Sequence, residues 1–204
     1  DHSTPIEIIR RGLRQWEKSD FAPRLTDVFQ ERLYCIRWRE NIQKKNGEIN
    51  SLKHYRAPNE EDQKREQKVI ELLSERFLEW QEKGYIPSRK IEPGFNTTQP
   101  IRERGWIYWH HLFTPRQLLI LGLLSEKLEL VKNDPVALAG ALLSLGKCTD
   151  WFSKLCRWNP NAANEKTEQT FSNQALNTLS TYASRSVYSL DTTWFANITD
   201  SPVI

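Results

Sequence analysis

Residues 113–155 read FTPRQLLILGLLSEKLELVKNDPVALAGALLSLGKCTDWFSKL and decide the fold. Thr114 and Asp134 can each cap a helix, and each is followed by a proline that suits a first helical turn. These two signals predict one helix over about 115–131 and a second over about 136–155. Because the second sequence is apolar nearly all round, we expect it to be a central buried helix, packed antiparallel against the first.

Upstream of this helix pair, residues 32–57 have the pattern of a β-hairpin. Strand-forming residues run over 32–39 and again over 49–56, with two unlike faces. Asn46-Gly47 lies between the two runs, and its tolerance of positive φ favours a tight reversal. We therefore expect an antiparallel pair of strands with a polar tip.

Further helices follow from end signals and apolar spacing. Asn59 can cap a long helix over 59–84, with acidic residues in its positive first turn. Thr4-Pro5-Ile6-Glu7 has the form of a capping box and predicts a first helix over about 5–18. An apolar stripe predicts a last helix over about 166–184, followed by an extended tail. The tail carries Tyr188, Trp194 and Phe195.

The sequence thus predicts a mainly α protein with a small antiparallel β-hairpin, an α+β fold of about five helices. Residues 113–184 would form the helical core. Residues 85–112 break the helical pattern with several prolines and glycines, which predicts a long irregular loop. Loops of this length inside a compact domain are usually functional or disordered.

This basic/aromatic segment, residues 85–112, mixes arginines with tryptophans and histidines. Such a mixture suits contacts to nucleic-acid phosphates together with stacking on bases. The same mixture is also how ordinary domains build half-buried cation–π edges. The sequence leaves both interpretations open.

Composition limits the class of protein. The chain has 204 residues, of which 29 are Lys or Arg and 26 are Asp or Glu, so its net charge is +3. That balance permits nucleic-acid binding but does not require it. No stretch has the roughly 18 uninterrupted apolar residues of a membrane span, so we expect no membrane partner. Cys35, Cys148 and Cys156 are odd in number and widely spaced, which favours a reducing, cytoplasmic setting.

The chain begins with Asp1 and contains no methionine, so we expect residues 1–204 to be one domain cut from a larger protein. Motifs for chemistry are missing from it. It has no glycine-rich phosphate loop, no Gly-x-Ser-x-Gly and no His-Glu-x-x-His. His110-His111 are adjacent and cannot easily share a metal, and the two later cysteines are best read as inert core thiols. We therefore expect no metal, no cofactor site and no catalytic residue in this chain.

Several segments together resemble one family. The segments are Arg104-Gly105-Trp106 with the following WHHLFTPRQLL at 109–119, RLYC at 32–35, YRAP at 55–58, LCRWNP at 155–160, Thr170-Phe171 and Gln174-Ala175-Leu176. In this order they resemble the central region of the large prokaryotic adenine-specific DNA methyltransferases that contain a zinc ribbon. The similarity spans about residues 32–182. Asn133-Asp134-Pro135 lacks the second proline and the aromatic of the amino-methyltransferase catalytic loop, so it is read as a helix cap.

The resemblance implies a non-catalytic central segment of such a methyltransferase, without the parts that bind S-adenosylmethionine or transfer its methyl group. In that family a region apart from the catalytic core recognises the target, so the resemblance implies target recognition or DNA positioning. The parent would be a DNA adenine N6-methyltransferase that uses S-adenosylmethionine. The partners implied are DNA, the remaining domains of the parent and proteins of a restriction or anti-phage defence system.

Seven residues are the candidate DNA contacts. Arginines would contact phosphates or guanine edges, a glutamine could read adenine, and a tryptophan could stack on an unpaired base. The candidates are Arg102, Arg104, Trp106, Trp109, His110, Arg116 and Gln117. The alternative is a structural helical insert that braces the catalytic domain or docks a protein partner, and it expects Trp106 and Trp109 to be buried. A third hypothesis, that this chain is itself an enzyme, requires it to bind S-adenosylmethionine alone.

Overall fold

The structure is a computed structural model that describes residues 5–161, 165–172, 175–179 and 182–184. Within them the protein has the predicted α+β, mainly helical fold. Its α-helices are α1 (Ile6–Arg11), α2 (Glu60–Glu82), α3 (Thr98–Arg104), α4 (Pro115–Lys127) and α5 (Pro135–Trp151). Its strands are β1 (Ile36–Gln43), β2 (Ile49–Arg56), β3 (Trp158–Asn159) and β4 (Lys166–Thr167), which form two separate antiparallel pairs, β1–β2 and β3–β4. Short 3-10 turns lie at Trp109–Leu112, Leu128–Val131 and Thr170–Ser172.

The predicted helix starts are confirmed where a side chain caps the helix. Asn59 accepts a hydrogen bond from the amide of Asp62 at 2.9 Å, and the Asp62 carboxylate accepts one from the amide of Asn59 at 2.9 Å. Thr114 and Gln117 make the same reciprocal pair at the start of α4. Asp134 accepts from two amides of the first turn of α5. Each cap satisfies amides that have no partner within their helix.

The β-hairpin is also confirmed, but its first strand, expected over 32–39, runs over 36–43, and residues 32–35 are not in a strand. Its register runs from Ile36 opposite Arg56 to Gln43 opposite Ile49. The reversal is closed by a hydrogen bond from the amide of Lys44 to the carbonyl of Glu48 at 2.7 Å. We call residues 36–56 the ribbon.

Three apolar clusters form the interior of the described part of the chain. The first contains Trp16, Ile91, Trp106, Leu112, Leu155 and Leu176. The second contains Leu73, Phe77, Trp80, Ile86 and Leu118, and the third Leu121, Cys148 and Phe152. Phe113 packs against all three clusters. The residue that precedes the cap of α4 therefore joins the interior into one body.

α2 and α4 pack closely because of one glycine. A Cβ at Gly122 would lie 2.3 Å from ring atoms of Trp80. The indole of Trp80 therefore lies against bare backbone in the middle of α4, where the structure has no room for another side chain.

The predicted first helix over 5–18 is too long. α1 ends at Arg11, and the chain continues without helix so that the amide of Trp16 donates to the carbonyl of Gly105 at 2.8 Å. Trp16, the last apolar residue of the predicted helical spacing, is thus buried by a distant contact instead of by a helix. Thr4, the proposed capping residue, lies outside the described residues.

Two further expectations are corrected. α5 ends at Trp151 and is not a central helix, since Val136 is 83% exposed and Leu143 is 66% exposed. The last helix, expected over 166–184, is absent from the described residues, which instead form β4 and a 3-10 turn. Leu176 of that stripe is buried without a helix, and its amide donates to the carbonyl of Asn96 at 3.0 Å. The tail with Tyr188, Trp194 and Phe195 lies outside the described residues.

The basic/aromatic segment is an organised part of the fold instead of the irregular loop that the sequence predicts. It contains α3 and a 3-10 turn, and its two ends pair through Lys90 and Tyr108. Gly105 ends α3 at φ 71°, and a Cβ there would lie 2.0 Å from the carbonyl oxygen of Arg14. A left-handed, closely packed position of this kind requires glycine.

Candidate nucleic-acid interface

Trp106 is part of the interior. Its side chain is 2% exposed, with its ring centroid 6.2 Å from that of Trp16 and 6.1 Å from that of Tyr182. Trp109 is half-buried and packs against the same cluster. The ring of Trp106 therefore offers no open face on which a base could stack, whereas Trp109 is covered only in part.

His110 and His111 are both fully buried. The ring of His111 donates from Nε2 to the carbonyl of Glu17 at 3.0 Å and accepts at Nδ1 from the amides of residues 107 and 108. The two ring nitrogens of His110 lie 2.9 Å from the carbonyl oxygen of Pro87 and 3.1 Å from that of Asp20. The two rings therefore fasten the N-terminal segment to the interior.

Burial determines the charge of these histidines. Removal from water lowers the pKa of His110 to about 4 and that of His111 to about 3. Both rings are therefore neutral at pH 7. A neutral imidazole donates only one N–H, so His110 donates to one of its two carbonyls and presents a lone pair to the other.

Gln117 is 1% exposed and is occupied by the cap of α4. Its Oε1 accepts a hydrogen bond from the amide of Thr114 at 2.8 Å, and its Nε2 is buried with no hydrogen-bond partner. The amide side chain cannot reach a base from this position. The structure therefore removes Trp106, His110 and Gln117 from the candidate DNA contacts, because their atoms are covered by the rest of the chain.

The three candidate arginines lie apart and have partners of their own. Arg104 donates to the carbonyls of Glu103 and Leu179, each at 3.1 Å, and its guanidinium carbon lies 4.3 Å from the ring centroid of Phe29. Arg116 binds the carboxylate of Glu66 on α2, with Nε at 2.9 Å. Arg102 is exposed and lies 3.3 Å from Glu103.

The predicted residues thus do not form one surface. Among the seven, only Arg102 is exposed, and Arg104, Trp109 and Arg116 are half-buried. A positive groove lined by arginines and tryptophans, which would favour direct DNA recognition by this segment, is not formed by these residues.

The ribbon is both basic and exposed to solvent, whereas the candidate residues of the basic/aromatic segment are mostly covered. Residues 32–57, which are the ribbon with its flanking residues, contain seven Lys or Arg and two Glu, a net of +5, and the ribbon itself has +4, whereas the whole chain has +3. The cations are Arg32, Arg37, Arg39, Lys44, Lys45, Lys53 and Arg56. Residues 40–50, which include Lys44 and Lys45, are all exposed. The ribbon is therefore more positive than the chain as a whole, and its tip presents two lysines to solvent.

The ribbon also carries an exposed aromatic pair. Trp38 lies opposite His54 in the register, with ring centroids 4.2 Å apart and an angle of 19° between the ring planes. Trp38 is 43% exposed, and Ile42 and Leu52 on the same face are exposed as well. The same face carries Glu40, whose carboxylate lies 3.2 Å from Nε2 of His54, so the ribbon presents aromatic, apolar and acidic groups together to solvent.

The base of the ribbon is fixed to the body. Arg56 makes a two-pronged ion pair with Asp62 at 2.5 and 3.1 Å, and this contact lowers the pKa of Asp62 to about 2. Lys53 lies 3.0 Å from the carboxylate of Glu165. The guanidinium of Arg37 lies 5.5 Å from the ring centroid of Trp158. These contacts position the ribbon while its tip remains free of the body.

A second charged feature lies inside the protein. Lys154 is fully buried, and its ammonium donates to Glu31 at 2.7 Å. The same nitrogen lies 4.8 Å from the ring centroid of Trp16, 4.7 Å from that of Trp106 and 6.0 Å from that of Tyr182. Burial lowers the pKa of Lys154, and the carboxylate of Glu31 opposes that effect.

This charged interior has no room for a substrate. The neighbouring cleft, lined by Glu31, Arg104 and Trp106 among others, has a volume of about 10 Å³, which corresponds to about one water molecule. In the described part of the chain no group of His, Cys, Asp or Glu is arranged to hold a metal ion. Burial raises the pKa of the Cys148 thiol, so this thiol is not activated as a nucleophile.

The ribbon could have been found from the sequence. The hairpin pattern and the excess of cations over 32–57 are both visible in the residues, but the density of tryptophan and arginine favours 85–116 instead.

Among the described helices none is long and apolar enough to cross a membrane. In the comparisons with known proteins, no family model, curated protein or solved structure matches this chain.

Proposed function

We propose that this chain is a non-catalytic DNA-positioning module and that the ribbon carries its contact to DNA. On the resemblance described above, it would serve an adenine-specific DNA methyltransferase whose other domains bind S-adenosylmethionine. DNA and those domains would be its direct partners, with proteins of a restriction or anti-phage defence system as further ones. The observation that carries the proposal is the net charge of +4 on the ribbon, whose residues 40–50 are all exposed.

The shape of the ribbon fits a groove of duplex DNA. Two strands of eight residues are about 27 Å long and lie about 5 Å apart. The major groove of B-DNA, about 12 Å wide, admits a two-stranded ribbon of this size. A cationic element that enters a groove also lies between two phosphate backbones, which attract it.

Different residues of the ribbon would have different roles in binding DNA. Lys44 and Lys45 at the tip would contact phosphates, and the exposed pair of Lys44 with Glu48 is weak enough to be exchanged for such a contact. Trp38 would pack against sugar or base edges. Arg56 would hold the angle of the ribbon through Asp62 and would not bind DNA itself.

The test is a titration of a fluorescein-labelled duplex of about 20 base pairs, followed by anisotropy at salt concentrations between about 50 and 200 mM. We expect binding that weakens linearly in a plot of log K against log salt. The double variant Lys44→Ala/Lys45→Ala should bind more weakly, and the slope should become smaller by about 2, one for each phosphate contact.

The matched control removes the same charge elsewhere. Lys64→Ala/Lys68→Ala changes two exposed lysines of α2, so it has the same net charge as the ribbon variant. The proposal expects this control to bind nearly as the unsubstituted chain does. Equal losses in both double variants, or no binding of the unsubstituted chain at low salt, would refute it.

The alternative function, a structural insert that braces a catalytic domain or docks a partner, is favoured by a different observation. Trp106 is buried, as that hypothesis expects, and the candidate arginines have partners within the chain. The same titration distinguishes the two functions. A chain that is folded by circular dichroism but does not bind DNA even at about 50 mM salt supports the insert.

A further inference from the structure

α5 presents a long apolar face to solvent. From Pro135 to Gly146 the helix contains no charged residue, and Val136 and Leu143 are largely exposed. The exposed positions occur at helical spacing on one side, while Ser144 and Cys148 occupy the buried side. The exposed positions are Pro135, Val136, Ala139, Leu142, Leu143 and Gly146. Single exposed apolar residues are common, but a continuous uncharged face marks an interaction surface.

Two glycines of α5 have no explanation among the described residues. A Cβ at Gly140 or at Gly146 would meet no atom of that part of the chain within 4 Å. Glycine inside a helix costs roughly 0.5–1 kcal/mol relative to alanine. Packing among the described residues therefore does not require either glycine, whereas the close approach of a second helix to the exposed Gly146 would.

The face is complementary to itself. Along its centre, the residues at 136, 139, 143 and 146 alternate between large and small: Val, Ala, Leu, Gly. When two copies are placed antiparallel about a two-fold axis near residue 141, Val136 meets Gly146 of the second copy and Ala139 meets its Leu143. Each large side chain then faces a small one, as in knobs packed into holes. We propose that α5 pairs antiparallel with α5 of a second copy of this chain.

The helix dipoles favour the same arrangement, because they are opposed in an antiparallel pair and aligned in a parallel one. Side-chain charge at the ends of the face contributes little, since Lys147 lies 3.8 Å from the carboxylate of Asp150 within its own helix.

The size of the face sets the expected strength. α5 has 17 residues and is about 25 Å long. One pair of such helices covers less than the roughly 1,600 Å² of a standard interface, so the dimer should be weak. We expect a dissociation constant of about 10 to 100 µM.

The test is sedimentation velocity on the chain without DNA, from about 1 to about 200 µM, which spans the expected dissociation constant. The sedimentation coefficient should rise with concentration from that of a monomer to that of a dimer. Leu143→Glu places a charge at the centre of the face and should keep the chain monomeric. The control is Leu78→Glu, at an exposed leucine of α2, and this variant should dimerise as the unsubstituted chain does.

A compensating pair of substitutions tests the contact itself. Ala139→Leu creates a clash with Leu143 of the second copy and Leu143→Ala leaves a gap, so each alone should weaken dimerisation about tenfold. The double variant again places a large residue opposite a small one and should restore most of the loss. A chain that is monomeric at about 200 µM, or a Leu143→Glu variant that dimerises normally, overturns the proposal. Since this titration contains no DNA, its failure is independent of the proposed DNA contact.

Discussion

The ribbon and the basic/aromatic segment have similar residues and opposite positions. Both combine cations, tryptophan and histidine, yet Trp38 of the ribbon is exposed and Trp106 of the segment is in the interior. The difference comes from their neighbours. The ribbon pairs with itself and projects, whereas the segment lies between the N-terminal residues and the helices. Composition therefore indicates what a segment can contact but not whether its side chains remain accessible.

The largest expected contrast is between the two tryptophans. Trp106→Ala should lower the free energy of unfolding by about 4 kcal/mol, because it removes a buried ring and leaves a cavity. Trp38→Ala should change it by less than about 1 kcal/mol, because its ring remains partly in water. Urea unfolding followed by circular dichroism measures both. Equal losses would mean that the ribbon is as integral to the body as the segment.

A buried lysine of the body and a half-exposed lysine of the ribbon should also differ in their contribution to the free energy of unfolding. Lys154→Ala should cost about 3 kcal/mol, because it leaves the carboxylate of Glu31 without its ion pair beside an aromatic interior. Lys53→Ala in the ribbon breaks a half-exposed ion pair with Glu165 and should cost less than about 1 kcal/mol. Urea midpoints give the comparison. A small loss for Lys154→Ala would contradict the interpretation of this ion pair as a buried structural one.

Mild acid should destabilise the protein through the two buried histidines of the segment. The pKa of His110 and that of His111 are lowered in the folded state, so between pH 6.5 and about 4 the unfolded chain binds more protons than the folded one. This stabilising contribution is complete above pH 6.5 and is lost as the pH falls towards 4. Unfolding free energies measured at pH 7 and pH 5 should differ by about 2 kcal/mol for each of the two buried rings.

The two buried rings themselves supply the variant that tests this pH dependence. His111→Gln should reduce the difference between pH 7 and pH 5, because one of the two buried rings is then missing. A difference that is unchanged in His111→Gln would show that the buried pair is not its source.

The smallest contrast concerns two glycines with positive φ. Gly105→Ala should cost about 2 kcal/mol, since it combines a left-handed backbone with a clash against the carbonyl of Arg14. Gly47→Ala in the turn of the ribbon should cost about 1 kcal/mol, because only the backbone term applies there. Thermal unfolding of the two variants resolves this difference. Equal shifts in midpoint would mean that the body can relax around a new Cβ at position 105.

The sequence predicts elements that depend on local contacts. The caps of α2, α4 and α5 and the turn of the ribbon follow from Asn59, Thr114, Asp134 and Asn46-Gly47, whose partners lie within a few residues. Elements that depend on distant partners were predicted less well. α1 is short because the amide of Trp16 donates a hydrogen bond to the carbonyl of Gly105, a residue far along the chain. The exposure of α5 depends on which neighbours cover it, and periodicity contains no such information.

The candidate site shows the same limit. From the sequence, His110 and Gln117 have the chemistry of DNA contacts, and local patterns do not reveal that Asp20 and Pro87 meet the imidazole. The capping role of Gln117 is visible in the sequence, because Thr114 three residues earlier completes a capping box with it. The excess of cations over 32–57 was a second signal, since charge on an amphipathic hairpin is expected at its surface.

The way in which the ribbon joins the body has an evolutionary consequence. Ile36 and Arg56 are opposite each other in the register, so the chain leaves the body and returns to it at one point. A hairpin of another length or sequence can be exchanged at that point while the clusters around Phe113 keep their packing. Selection can therefore diversify what the ribbon touches independently of the stability of the domain that carries it.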